Sequence, residues 1–284
     1  MLYVVPTPIG NLGDITMRSL EVLSTCDAIA AEDTRHTLKL LTHFNIKKPI
    51  ISYFEHNKIS RGKELIARLS AGENIAVVSD AGMPGISDPG ADLIKLAVEN
   101  NIEVSVLPGA CAGITAVVAS ALPTDKFVFE GFIGTDNKKI NLFTEMIKKE
   151  LRTVIIYEAP HRIIKTLELL YKHVPQRRIA VCRELTKIHE EIFRGTVTEA
   201  LEHFTDNTPK GEFVIVIDGA KEEDISSSCE MSDEDIFNKV NSLRANGMGR
   251  NDALKRVADE CGKSRNETYD ICEKVKRPID SLQS

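Results

Sequence analysis

NIAVVSDAGMPGISDPG, residues 74–90, joins an apolar β-rich run to a loop crowded with glycine, proline and aspartate. The run NIAVVS (74–79) has the length and β-branched content of a buried strand. The loop SDAGMPGISDPG (79–90) exposes main-chain amides and carbonyls, and ordering so long a connection costs more chain entropy than a plain turn requires. It suits a neutral or cationic ligand held by backbone and one carboxylate. Outward from it, similar runs occur at LYVVP (2–6), DAIAA (27–31), PIISYF (49–54) and EVSVLP (103–108), separated by amphipathic stretches such as 59–69 and 91–98. That alternation predicts an α/β domain over 1–121, a parallel sheet with helices on its faces and ligands at the carboxyl ends of the strands.

Two other loops follow predicted strands. PTPIGNLGD (6–14) has the spacing Gly10-x-x-Gly13 and lacks the G-x-G-x-x-G pattern. Glu32-Asp33 ends the second run, where a dinucleotide enzyme places its ribose-binding acid, but without the glycines a pyrophosphate has no close backbone to lie against. LPGACAGITA (107–116) turns at Pro108-Gly109 into a helix of small residues, which permits close approach of a ligand.

ALPTDKF (121–127) marks a boundary. A second α/β domain over 122–222 is expected, with strands at 126–132, 153–159, 178–185 and 211–220 and helices at 139–149 and 161–173. The run KEEDISSSCEMS (221–232) reads as a linker. A helical module over 230–284 follows, with helices at 233–246, 250–261 and 266–275 and Ala253, Val257, Ala258, Tyr269 and Val275 as core positions. The last two helices have the form of a helix-turn-helix, with a helical cap or dimerisation piece as the alternative.

A net charge of −6 excludes a uniformly basic nucleic-acid coat but leaves room for a local basic patch. The six cysteines are far apart and form no C-x-x-C pair, so no metal site is expected. The N-terminus does not read as a signal peptide, and the run 104–123 is broken by Pro108 and Gly109, so a cytoplasmic protein outside the membrane is expected.

TPIGNLGDIT (7–16), AEDTR (31–35), SDAGMPGISDPG (79–90), LPGACA (107–112), YEAPHR (157–162), RELTK (183–187) and KGEF (210–213) occur in one order that resembles the tetrapyrrole methylase superfamily. Within it, the chain is similar to the branch that methylates the ribose 2′-hydroxyl of a cytidine in small-subunit ribosomal RNA. The resemblance spans 1 to about 220. It implies two α/β domains, S-adenosylmethionine in the cleft between them, a homodimer, and small-subunit ribosomal RNA or the assembled subunit as partner. It implies donor contacts near Pro8, at Asp80, Ala81, Gly82 and Met83, and at Gly109, Ala110, Cys111 and Ala112, with Tyr157, Glu158 and Ala159 closing over them. A small-molecule C-methyltransferase of the tetrapyrrole type, or a non-catalytic RNA-binding protein on the same scaffold, are the alternatives.

A ribose hydroxyl is a poor nucleophile, so a placed base would contribute to methyl transfer. Glu32, Asp33, His56, Glu158, His161, Glu184 and Lys187 could serve, and Glu32, Glu158 and Lys187 are the catalytic candidates. Glu32 could instead pair with Arg35, and Glu158 could cap the helix beginning near Pro160. Arg35, Arg162 and Arg183 around the cleft, and Arg250, Lys255 and Arg256 on the helical module, are the RNA-binding candidates.

Overall fold

The structure is a computed structural model that describes residues 1–205, 210–221, 232–261 and 263–276. It divides into two compact units, Met1–Gly219 and Ala220–Ser284.

The first unit opens with five short strands: β1 (Leu2–Val4), β2 (Ala28–Ala31), β3 (Ile50–Ser52), β4 (Ile75–Val78) and β5 (Val104–Val106). They pair in parallel in the order β3-β2-β4-β1-β5. Helices α1 (Met17–Thr25), α2 (Thr34–His43), α3 (Lys58–Ser70) and α4 (Gly90–Glu99) connect the strands. Each presents one apolar stripe to the sheet. Leu65, Leu69, Leu93 and Ala97 cover one face, against Leu2, Val4, Ile75 and Val77. Val22, Leu23 and Leu41 cover the other, against Val5, Ile29, Ala76 and Val78. Covering on both faces explains why β2 and β4 are uninterrupted apolar runs.

The connection leaving β2 runs outward to β3, and the one leaving β4 runs the opposite way to β5. Such a switch opens a crevice between the carboxyl ends of two neighbouring strands. Here those ends carry Glu32-Asp33 and Ser79-Asp80.

Helix α5 (Ala112–Ala119) leads into the second sheet, of β6 (Phe127–Phe132), β7 (Thr153–Glu158), β8 (Arg178–Arg183), β9 (Glu191–Thr196) and β10 (Phe213–Ile217). Its order is β6-β7-β10-β8-β9; β6 and β7 are parallel and the remaining pairs antiparallel. One face packs on α6 (Asn137–Lys149), α7 (Ile163–His173) and α8 (Val197–Thr205). On the other, Ala116 and Val117 of α5 meet Ile155, Ala180 and Val216. Helix α5 therefore precedes the boundary read at 121 but packs on the sheet that follows it, in a cluster that also takes in Ile9 from the loop after β1. Strand β9 and helix α8 have no counterpart in the sequence reading.

The second unit contains α9 (Asp233–Ala245), α10 (Arg250–Cys261) and α11 (Arg265–Lys276). Ser232 and Asp235 form a capping box that starts α9. Ile236, Val240, Ala253, Leu254, Val257, Cys261 and Cys272 make its core. Ala253, Val257 and Ala258 are buried as expected. Tyr269 is not: it lies exposed beneath the Arg250 guanidinium, 5.1 Å from the ring centre. Val275 is only half-buried. The central part of the expected linker, 222–231, lies outside the described residues. Among the described residues no helix is long and apolar enough to cross a membrane, no group of side chains could hold a metal, and Cys26, Cys111, Cys182 and Cys272 are free thiols.

Candidate active site

Strand register brings the scattered motifs together. β10 lies between β7 and β8 and pairs Phe213 with Glu158 on one side and with Arg183 on the other. YEAPHR, KGEF and RELTK therefore reach one end of the second sheet side by side. That end meets the crevice of the first sheet, and between them lies a cavity of about 430 Å³, a size suited to a small-molecule ligand.

The glycine-rich loop forms one wall. Gly82 (φ 82°) pairs with Thr7 through two 3.0 Å backbone hydrogen bonds, and a Cβ at Gly82 would press on Ile9 at 3.2 Å. Asp88 braces the rest, its carboxylate accepting from the amides of Gly85 (2.9 Å) and Gly90 (2.7 Å). Ser87 is held at φ 63°, a costly conformation for a residue with a side chain. Ile9, Cys111, Ala112 and Leu185 add further wall, and Tyr157, Ala159 and Val214 close the other side. The Tyr157 hydroxyl accepts from the Gly113 amide at 3.0 Å, fixing the start of α5.

The cavity is acidic. Glu32, Asp80, Asp88, Glu158 and Glu212 line it, and among the described residues no lysine, arginine or histidine does. Asp80 accepts the Asp33 amide at 3.0 Å through Oδ1. Glu32 has no hydrogen-bond or ion-pair partner among the described residues. Burial raises its pKa, and the negative charges of Asp80 and Asp88 raise it further.

Of the residues read as donor contacts, Asp80, Ala81, Gly82, Met83, Cys111, Ala112, Tyr157, Glu158 and Ala159 line the cavity. Pro8, Gly109 and Ala110 do not. Gly109 instead lets two stretches of chain pack closely, since a Cβ there would meet the Pro6 ring at 2.6 Å. The three catalytic candidates separate. Glu32 faces the cavity without a partner. The Glu158 carboxylate is almost wholly buried, accepting from Thr166 Oγ1 (2.6 Å) and the Ala159 amide (2.9 Å), with Arg162 Nε 3.4 Å away. Lys187 does not line the cavity; its ammonium bridges Glu184 (2.8 Å) and Glu212 (2.9 Å), and a Cβ on Gly10 would collide with its side chain at 2.4 Å. Lys187 thus ties the RELTK, KGEF and TPIGN loops together.

The arginines around the cleft have local partners. Arg35 pairs with Asp33 at 2.8 Å and not with Glu32, because Asp33 also caps α2 and its carboxylate faces the same turn. Arg162 donates to the Gly134 carbonyl, and Arg183 to the Lys210 carbonyl and Glu191. In the second unit Arg250 pairs with Glu273 and Arg256 with Glu260, while Lys255 is exposed. Exposed pairs of this kind contribute little to stability and exchange readily for another anion. Sequence reasoning missed Asp88, Phe132, Cys182, Leu185 and Phe213 as cavity residues.

A parallel sheet followed by a second, mixed sheet is the fold of a known family. The model for Tetrapyrrole (Corrin/Porphyrin) Methylases matches residues 1–201, and the chain belongs to that family. In fold it is similar to a uroporphyrin-III-C-methyltransferase from Thermus thermophilus, with a TM-score of 0.55 and 19% identity over 76% of this chain and 93% of that one. Relatives closer in sequence carry a more particular name. The chain is 51% identical to ribosomal RNA small subunit methyltransferase I of Synechocystis sp., over 95% of this chain and 96% of the relative. It is 44% identical to the protein of that name from Thermotoga maritima, over 77% of this chain and 98% of the relative.

Proposed function

We propose that this protein transfers a methyl group from S-adenosylmethionine to the ribose 2′-hydroxyl of a cytidine in small-subunit ribosomal RNA, working in the cytoplasm as a homodimer. The observation that carries the reading is the cavity: acidic residues at five lining positions, of which Glu32, Asp80 and Asp88 have no cationic partner, and, among the described residues, no basic one, set among apolar walls. S-adenosylmethionine supplies a methyl group on a positively charged sulfonium and carries an ammonium as well. A cation-free acidic pocket favours that charge distribution and disfavours a phosphate-bearing cofactor.

The residues then take distinct parts. Asp80 places one carboxylate oxygen on the Asp33 amide and keeps the other for a cationic group. The Gly82 turn brings backbone within reach of a ligand, and Ile9, Leu185 and Val214 exclude water. Methyl transfer is an in-line displacement, so positioning the acceptor oxygen supplies much of the rate. Glu32, unpartnered and with a raised pKa, accepts the proton of the hydroxyl as it attacks.

The test is methyl transfer from labelled donor to unmodified small ribosomal subunits, followed by nucleoside analysis. Label on the sugar of a cytidine supports the reading, and donor binding without RNA labelling overturns it in favour of a small-molecule acceptor. Asp80→Asn keeps the bond to Asp33 and removes the charge. It should weaken donor binding by about tenfold, measured by calorimetry, as expected for one charge pair at a partly exposed site.

The helical unit is an accessory on this reading. The Thermotoga maritima relative aligns over 218 residues that make up 98% of it, a length the first unit alone supplies. Deleting residues 230–284 should therefore leave donor binding intact. It should weaken binding to small ribosomal subunits by about tenfold at moderate salt, measured by filter binding, through loss of Arg250, Lys255 and Arg256.

A further inference from the structure

Phe132 is placed by a break in its strand. In an unbroken strand alternate residues share a face, so Phe132 would follow Val128, which packs against the α6–α8 core. The pairing of β6 with β7 instead jumps from Phe129–Ile155 to Gly131–Ile156, leaving Glu130 as an extra residue. One extra residue reverses the alternation, and Gly131 absorbs the bend at φ 62°. Phe132 is thereby turned to the face of Phe129 and Tyr157 and pairs with Tyr157 across the strands. Its ring centre lies 5.6 Å from that of Tyr157 in an edge-to-face arrangement.

The outcome is a large ring on the cavity wall that remains 57% exposed. The segments on either side of it in sequence carry both signs of charge, with Glu130 and Asp136 exposed as well. Lys138 and Lys139, at the start of α6, are exposed and have no ion pair among the described residues. His161 is exposed in the loop that supplies Ala159 and Pro160 to the wall. Arg162 ties that loop to the one after β6 through the Gly134 carbonyl. An exposed aromatic face on the wall of a cavity that suits a small-molecule donor fits an unstacked nucleobase, and the lysines at the start of α6 are available for its phosphates.

We propose that Phe132 is the stacking platform for the base of the acceptor nucleotide, holding the sugar of that nucleotide over the cavity. This rests on the RNA methyltransferase reading given above. A base lifted from its neighbours loses stacking energy, and the Phe132 ring restores part of it where methyl transfer takes place. Because every base has a π-face, the platform fixes position while other contacts select the base.

The experiment compares wild-type protein with Phe132→Ala, Phe132→Leu and Phe132→Tyr on unmodified small ribosomal subunits. Affinity for S-adenosylhomocysteine is measured in parallel by calorimetry, and oligomeric state by sedimentation. The alanine and leucine variants should lose about 10- to 100-fold in kcat/KM for the subunit, the range expected for one stacked base, with donor affinity and oligomeric state unchanged. Tyrosine should retain activity within a small factor. Full activity in Phe132→Leu overturns the platform, since leucine keeps the apolar bulk and lacks the π-face. Equal losses of donor and subunit binding, or a change of oligomeric state in Phe132→Ala, overturn it in favour of a packing or interface role. If wild-type protein transfers no methyl to RNA, the underlying functional reading fails first, and the platform with it.

Discussion

Glu32→Gln lowers methyl transfer to small ribosomal subunits by about 10²- to 10⁴-fold, the usual contribution of a placed base, while donor affinity falls far less. The glutamine keeps the shape of the side chain and cannot take a proton from the hydroxyl. Two further outcomes follow from the raised pKa, which burial causes first and Asp80 and Asp88 reinforce. In wild-type protein kcat/KM falls as pH drops through that pKa, because only the carboxylate is a base; in Glu32→Gln this acid limb disappears. Stability moves the opposite way. A carboxyl whose pKa is raised on folding binds its proton more tightly in the native state. Its favourable contribution is therefore present at low pH and is lost as pH rises through the native pKa. At neutral pH the ionised side chain opposes folding, so Glu32→Gln melts at a higher temperature than wild type, and the gain shrinks toward about pH 4. Thermal melts across that range check the sign. A variant that loses activity and stability together would show Glu32 to be structural.

The sequence made one half of this site readable and concealed the other, for a physical reason. Residues 79–90 and 107–112 act through local backbone: Gly82 at φ 82° and Gly85 at φ 91° are required by the turn in which they lie. Composition therefore marked these two loops as ligand-facing without knowledge of their neighbours, and the family resemblance placed Asp80, Gly82 and Cys111 within them as donor contacts. Glu212 and Phe213 reach the cavity because β10 inserts between β7 and β8, and Phe132 reaches it because of one extra residue in β6. Register is a property of paired strands, and no single segment encodes it. Strand β9 was missed for a related reason. EIFRGT spaces its two large apolar residues side by side between charged ones, and only the hairpin with β8 makes it a strand. The loop closing that hairpin holds Glu184 and Thr186 at positive φ, a feature that composition does not mark. Motif order did lead to Glu158 and Lys187, but it could not distinguish a side chain aimed into a cavity from one that braces its wall.

Glu158 provides the sharpest case, and its replacement is expected to act on stability before chemistry. Its carboxylate is 2% exposed and accepts from a hydroxyl and an amide, with a guanidinium at 3.4 Å. Glu158→Ala strands the buried Thr166 hydroxyl and removes the anion facing Arg162, at a cost of about 2–4 kcal/mol. For a chain of this size that lowers the melting temperature by roughly 5–10 °C. Glu158→Gln retains an oxygen for the Ala159 amide and an amide group that can meet Thr166, so it should lose well under half as much. If Glu158 is a brace, the glutamine variant retains most of its methyl-transfer rate at a temperature where it is folded, and its pH profile matches wild type. If Glu158 is the base, Glu158→Gln is as inactive as Glu32→Gln while remaining folded. The two glutamates lie on one cavity, so the same assay on both variants assigns the proton to one of them. We assign it to Glu32, whose side chain has no partner among the described residues, whereas both Glu158 oxygens are already taken, one by Thr166 Oγ1 and the other by the Ala159 amide.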